Sequence, residues 1–257
     1  MKKNLIAKLL IVSMMFCGVF ALTSCGGGGD DEAALVVVTE ATFPPFDTVD
    51  DDGNITGFDM DLINAIAEDQ GLTVEFKDIG FDSLIPALEA DEADIIAAGM
   101  NSDDPERQAK VDFGTSYFES QLVLVVADGN NSINGVEDLT SDMKVAGQIG
   151  TTGADEANAL AEAGTVGEAV ILDKVSDAML QLQNGDIDAI ILDKPVTESY
   201  IAKQPGTAKI VGEPIGEAEH YAFAVQKGNE ELLEKLNTGL QNMIDNGTYD
   251  DLIAKWF

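Results

Sequence analysis

Residues Thr39–Leu62 read TEATFPPFDTVDDDGNITGFDMDL, and they follow the unbroken apolar run Leu35-Val36-Val37-Val38. A run without polar alternation suits a strand covered on both faces, as in a mostly parallel sheet. Ligands of such sheets sit at the carboxyl ends of the strands, which is where Glu40 and Phe43 fall. Pro44-Pro45 stiffens the backbone that follows, because proline fixes φ and restricts the residue before it. The stretch therefore reads as half of a small-molecule pocket. Asp51-Asp52-Gly53 then predicts a hairpin turn, and Phe58, Leu62, Ile63 and Ile66 keep the spacing of a helix.

Outward from this segment, strand-like and helix-like stretches alternate almost throughout, which predicts α/β architecture. Strands are expected at Val74–Phe76, Ile95–Ala98 and Leu122–Val126, with a helix at Phe81–Glu89. The same grammar then restarts: strands at Lys144–Ala146, Ala169–Leu172 and Ala189–Leu192, and helices at Thr152–Ala163 and Ser176–Gln183. A strand near Tyr221–Val225 precedes two helices, Glu230–Ile244 and Tyr249–Trp256. LEADEADIIAAG from Leu88 and LQNGDIDAIILD from Leu182 form a faint repeat. Each sets a helix end, a polar turn and an aspartate before a buried strand, which suggests two alike lobes.

Lys2, Lys3 and Lys8, an apolar run from about Leu9 to Leu22 and small residues after it have the layout of an export signal, too short for a comfortable membrane span. Leu22-Thr23-Ser24-Cys25 looks like the lipobox of bacterial lipoproteins, so Cys25 is the expected lipidation site and membrane anchor. Residues 25–33, with the run Gly26–Gly29, read as a flexible tether. Cys17 leaves with residues 1–24, so no disulfide is expected. Loss of that segment removes three of 14 basic residues and none of the 47 acidic ones, and 11 minus 47 gives −36. That balance excludes nucleic acid as a partner.

Several residues carry possible chemistry. Arg107, in Asp104-Pro105-Glu106-Arg107, follows a predicted buried strand. Its guanidinium is suited either to fork a carboxylate or to pair with nearby acids. Gly150-Thr151-Thr152-Gly153 lies between a strand and a helix, either as an anion site or as an ordinary capped turn. Asp193 ends the run Ile190-Ile191-Leu192, where it either receives an ammonium group or caps the helix entering at Lys194-Pro195. Thr48–Asp59 has the glycine and carboxylates of a calcium loop, but Thr48 replaces the first aspartate and Asp59 the bidentate glutamate, so a hairpin is the simpler reading. His220 is the lone histidine, with no cysteine beside it, and supports no zinc site. No metal or other cofactor is expected.

Taken together, these stretches resemble the polar amino-acid-binding proteins of bacterial ABC importers, the bilobal solute-binding family, from about Leu35 to Phe257. The carriers are Thr39–Phe46, Gly57–Leu62, Phe81–Leu88, Ala98-Gly99-Met100 with Pro105-Glu106-Arg107, Gly150–Gly153, Leu182–Asp193 and Asn246–Tyr249. The resemblance implies a periplasmic-binding-protein-like fold of type II, two α/β lobes joined by two hinge strands. Lobe 1 is expected at residues 34–126 and 221–257, lobe 2 at 127–220, with crossovers near Leu124–Ala127 and His220–Ala224. It also implies a monomer that hands its ligand to permease subunits outside the cytoplasm.

By the same resemblance, Arg107 clamps the ligand α-carboxylate with help from Thr152, and Asp193 takes the α-ammonium. Gly99 and Asn101 contribute a carbonyl and a polar side chain. The stretch Met100–Asp104 is one residue longer and more acidic than the family pattern, so Asn101 and Ser102 both remain candidates. Phe43 and Phe81 match the aromatic walls around the ligand side chain, and Glu40 the acid that meets its far end. That points to arginine, lysine, histidine or glutamine as ligand. The alternative is an enzyme on the same fold resembling cyclohexadienyl dehydratases, with Glu40 or Asp193 as the acid; a binding protein without enzyme activity is the reading adopted.

Overall fold

The computed structural model describes residues 33–257. The export signal, the lipidated Cys25 and nearly all of the tether lie outside the described residues.

The chain opens with β1 (Leu35–Thr39), β2 (Thr48–Val49), β3 (Ile55–Thr56), α1 (Phe58–Gln70) and β4 (Val74–Asp78). It continues with α2 (Leu84–Glu89), β5 (Ile95–Ile96), α3 (Pro105–Lys110), β6 (Val111–Phe113) and β7 (Phe118–Ala127). Next come β8 (Lys144–Gln148), α4 (Thr152–Glu162), β9 (Glu168–Leu172), α5 (Val175–Asn184) and β10 (Ala189–Asp193). The last elements are α6 (Lys194–Lys203), β11 (Ala208–Tyr221), β12 (Ala224–Gln226), α7 (Glu230–Asn246) and α8 (Thr248–Trp256).

Two five-stranded sheets divide these strands between two lobes, in the orders β4-β1-β5-β12-β6 and β9-β8-β10-β7-β11. In each, the first strand of a parallel trio lies between the second and third, and two antiparallel strands extend the side of the third. The two repeat segments cover equivalent places: each runs from the end of the helix before the third strand, α2 or α5, into that strand. Both sheets therefore reverse strand order beside their first strand, the crevice where α/β folds bind ligands.

The segment that opened the sequence reading builds the first of these crevices. Val37 and Val38 are buried on opposite faces of β1, and α1 covers one face with Leu62, Ile63 and Ile66. Asp50 Oδ1 accepts the N–H groups of Asp52 and Asn54, so the aspartate run closes the β2–β3 hairpin. Gly57 makes the turn into α1 at φ 148, and a Cβ there would lie 2.0 Å from the Phe46 carbonyl oxygen. The ring of Phe46 meets Phe118, Tyr221 and Phe257 edge-on at centroid distances of 4.9, 5.1 and 5.3 Å.

The chain passes between the sheets twice, and the two passages bond to each other. Gly114 N–H donates to Phe223 O and Tyr117 N–H to Tyr221 O, both at 2.9 Å, while the rings of Tyr117 and Phe223 stack at 4.4 Å. The first passage comes earlier than the expected Leu124–Ala127. Leu122–Val126 is in the second half of a ten-residue strand that belongs wholly to the second sheet, because Phe118–Ser120 already pairs along β11.

Candidate functional site

Loops at the carboxyl ends of β1, β5, β8 and β10 face one another between the lobes. They enclose a narrow cavity, nearly filled by its own walls, lined by Phe43, Phe81, Gly99, Asn101 and Arg107 from one side and Thr151, Thr152, Asp193 and Glu219 from the other. Seven of the expected site residues are thus gathered in one place. Glu40 is not among the walls.

Arg107 sits in the first turn of α3, where Pro105 fits a helix start and Asp104 caps it, accepting from Glu106 N at 2.7 Å. Arg107 as a whole is 7% exposed. Nη1 donates to Asn101 O and Nη2 to Gly150 O, each at 3.0 Å, and Nε lies 3.4 Å from Asp104 Oδ2. Each Nη nitrogen keeps a second N–H free to donate. The cation also lies 5.5 Å from the centroid of Phe81. Burial lowers its pKa, and Asp104, Glu219, Asp155 and Asp193 oppose that shift.

Asp193 stands at the N-cap position of α6, yet its side chain makes no capping bond. Oδ1 instead accepts from Ser120 Oγ at 3.1 Å and from the hydroxyl of Tyr221, which leaves Oδ2 for a ligand. Burial raises its pKa while those two donors pull it back. On α4, the capping task falls to Thr151, whose Oγ1 accepts from Ala154 N at 3.2 Å, so the Thr152 side chain is not used as a cap.

Gly99 is held at φ 52 with its N–H on Asp59 Oδ2 at 2.8 Å; a Cβ there would come within 2.7 Å of the Phe43 ring. Backbone of this shape favours glycine. Of the two neighbouring candidates, Asn101 lines the cavity, whereas Ser102 Oγ turns away to His220 O at 2.8 Å. The longer acidic loop also grips β11, with Asp103 Oδ2 2.8 Å from His220 Nδ1.

Glu40 is 2% exposed and already bonded: Thr42 Oγ1 donates to both oxygens, and Gln148 Nε2 donates to Oε2 at 2.9 Å. It therefore joins β1 to the end of β8 in the other lobe. Gln148 Oε1 is buried without a partner. Burial raises the Glu40 pKa, countered by Gln148 and Thr42.

Glu219, absent from the sequence expectations, is 8% exposed and lines the cavity beside Asp193 and Thr152. Its carboxyl is raised to about 7, first by burial and then by Asp193, with Thr152 and Arg107 acting the other way. Among the described residues no group of three or more acidic, histidine or cysteine side chains is arranged to hold a metal ion.

The family of bacterial extracellular solute-binding proteins, family 3, matches residues 35–257. A probable histidine-binding protein of Neisseria gonorrhoeae is 34% identical over 257 residues, 96% of this chain and 94% of that protein. A putative ABC transporter arginine-binding protein 2 of Escherichia coli (strain K12) is 34% identical over 223 residues, 85% of this chain and 88% of that one. Among solved structures, an ancestral arginine-binding protein bound to arginine superposes with a TM-score of 0.82 at 43% identity, covering 87% of this chain and 98% of its own.

Proposed function

Because the chain belongs to the bacterial extracellular solute-binding proteins, family 3, we propose that its cavity captures a polar L-amino acid and delivers it to an ABC importer. The observation that carries this reading is the pairing of functional groups across the cavity. Arg107 of one lobe offers two free N–H groups, and Asp193 of the other offers a free carboxylate oxygen. An α-carboxylate and an α-ammonium, two bonds apart on one carbon, match such a pair. Thr152 adds its hydroxyl and Gly99 its carbonyl.

The side chain lies between Phe43 and Phe81, flat faces that accept an alkyl stem and attract a cation. Glu40 and the unpartnered Gln148 Oε1 lie outside those walls and are the acceptors we assign to its far end. Arginine, lysine, histidine and glutamine bring N–H donors to that end, whereas aspartate and glutamate are repelled. Two charge-assisted groups at about 1.5–3 kcal/mol each supply up to about 6 of the ~8 kcal/mol in a micromolar complex. Side-chain burial between the two rings contributes the remainder.

The passages at residues 114–117 and 221–223 act as the hinge. Arg107 to Gly150 O, Gln148 to Glu40 and Tyr200 Oη to Thr42 O, at 3.0, 2.9 and 2.9 Å, tie the lobes together. Ligand contacts to the second lobe exist only in this closed form, so ligand shifts the population toward it and a permease reads the shape. The monomer is tethered outside the cytoplasm through lipid on Cys25.

Equilibrium dialysis of the unlipidated protein with labelled L-arginine, L-glutamine and L-aspartate tests the reading. Micromolar retention of arginine or glutamine, recovered chemically unchanged, is expected. Product formed from prephenate or arogenate would replace capture with catalysis.

A further inference from the structure

An α-ammonium group brings three N–H donors into the cavity, and the two acceptors assigned so far, Asp193 and the Gly99 carbonyl, leave one N–H unmatched. Asp193 Oδ1 already holds Ser120 and Tyr221, so only Oδ2 is free. Thr151 Oγ1 is engaged with Ala154 N and Gln148 O, and Asn101 Oδ1 accepts from Asp103 N at 2.9 Å. Glu219 is the other carboxylate in the wall, more than nine-tenths buried, on the same side of the cavity as Asp193. A carboxylate is costly to bury away from water and needs a cationic or donor partner. Thr152 supplies Glu219 with one donor, and Arg107 is the single cationic side chain lining the cavity.

The backbone is shaped to aim Glu219 inward. The pairing of β11 with β7 loses register between Ile215 and Glu219, and Gly216 in that interval has φ +73. Such irregularities re-aim side chains next to binding sites. Beyond it, strand alternation sets Glu219 and Tyr221 on one face and His220 on the other. Tyr221 on that face is the residue that holds Asp193.

We propose that Glu219 is a second acceptor for the ligand's α-ammonium, shared with Asp193, and therefore a positioning residue that demands a free primary amine. The inference rests on the amino-acid reading above and adds to it. N-acylated and desamino compounds lack the donors that a buried Glu219 requires.

Calorimetric titration of the whole mature protein and of Glu219→Gln tests this with two ligand pairs. L-Arginine is compared with 5-guanidinopentanoate, and L-glutamine with 4-carbamoylbutanoate, each pair differing only in the α-amine. Glu219→Gln is expected to weaken the amino acids at least about tenfold, as loss of a charge-assisted bond does, and to leave the desamino compounds unchanged or improved. Glu219→Ala should repeat the pattern. Equal loss within each pair, or no loss, overturns the proposal. Failure of the unmodified protein to bind either amino acid overturns the parent reading instead, which keeps the two failures distinct.

Discussion

Arg107 Nη2 donates to the carbonyl of Gly150 at 3.0 Å, so the residue proposed to hold a ligand carboxylate in one lobe also grips the glycine turn of the other. Binding and closure therefore share one side chain. Arg107→Ala should weaken arginine and glutamine alike by about a hundredfold or more, the range for truncating one partner of a buried charge pair. Small-angle scattering with ligand present should show an expanded particle. A variant that binds normally would remove Arg107 from the site.

Glu40 and Gln148 make a separate prediction about selectivity. Glu40→Gln keeps the shape and removes the charge, so it should reduce the preference for arginine over glutamine by about tenfold, with modest loss for glutamine itself. Competition titration measures the ratio. An unchanged ratio would confine Glu40 to holding the lobes together.

Asp59 is buried beneath the binding loop, bonded to Gly99 N and Tyr117 Oη at 2.8 and 2.7 Å with Oδ1 unpartnered. Burial raises its pKa from 3.8 to about 7 against those bonds, and Asp47, itself raised, lies nearby. A raised carboxyl binds a proton more tightly when folded. Its contribution is complete below the unfolded pKa and is lost as pH climbs from about 4 through about 7. Urea denaturation across that range should show falling stability, on the order of a few kcal/mol. Asp59→Asn should flatten that dependence; a slope as steep as before would assign it to other groups.

Gly57→Ala places a Cβ 2.0 Å from the Phe46 carbonyl oxygen at φ 148. Both strain and clash oppose it, so the loss of unfolding free energy should be about 2–4 kcal/mol or more. Chemical denaturation reads this directly. A loss under about 0.5 kcal/mol would mean the turn into α1 relaxes freely.

The parts legible in the sequence were those with local signatures. The apolar runs of β1 and β10, the helical spacing of α1 and the turn glycines each act within a few residues, and together they fixed two alike lobes. Arg107, Asp193, Thr152, Gly99, Asn101, Phe43 and Phe81 meet because each lies on a strand end, on the loop that follows one, or in the first turn of a helix. Glu219 escaped notice because β11 reads poorly as a strand. Gly212 and Gly216 interrupt its pattern, and a 14-residue strand that loses register twice has no simple alternation. The Glu219 and Tyr221 pair, two residues apart, was the available clue. Glu40 was expected in the site but stands outside its walls, and its bond to Gln148 joins residues 108 positions apart, a separation that local pattern does not encode.

The most direct test is the thermal stabilisation of unlipidated residues 26–257 by each of the twenty amino acids at equal concentration. Ligand at a hundred times its dissociation constant adds about 2.7 kcal/mol, a shift of roughly 5–10 °C for a chain of this size. The account predicts the largest shifts from arginine, lysine, histidine or glutamine, and none from aspartate or glutamate. A protein stabilised best by an acidic amino acid, or by none of the twenty, would contradict it.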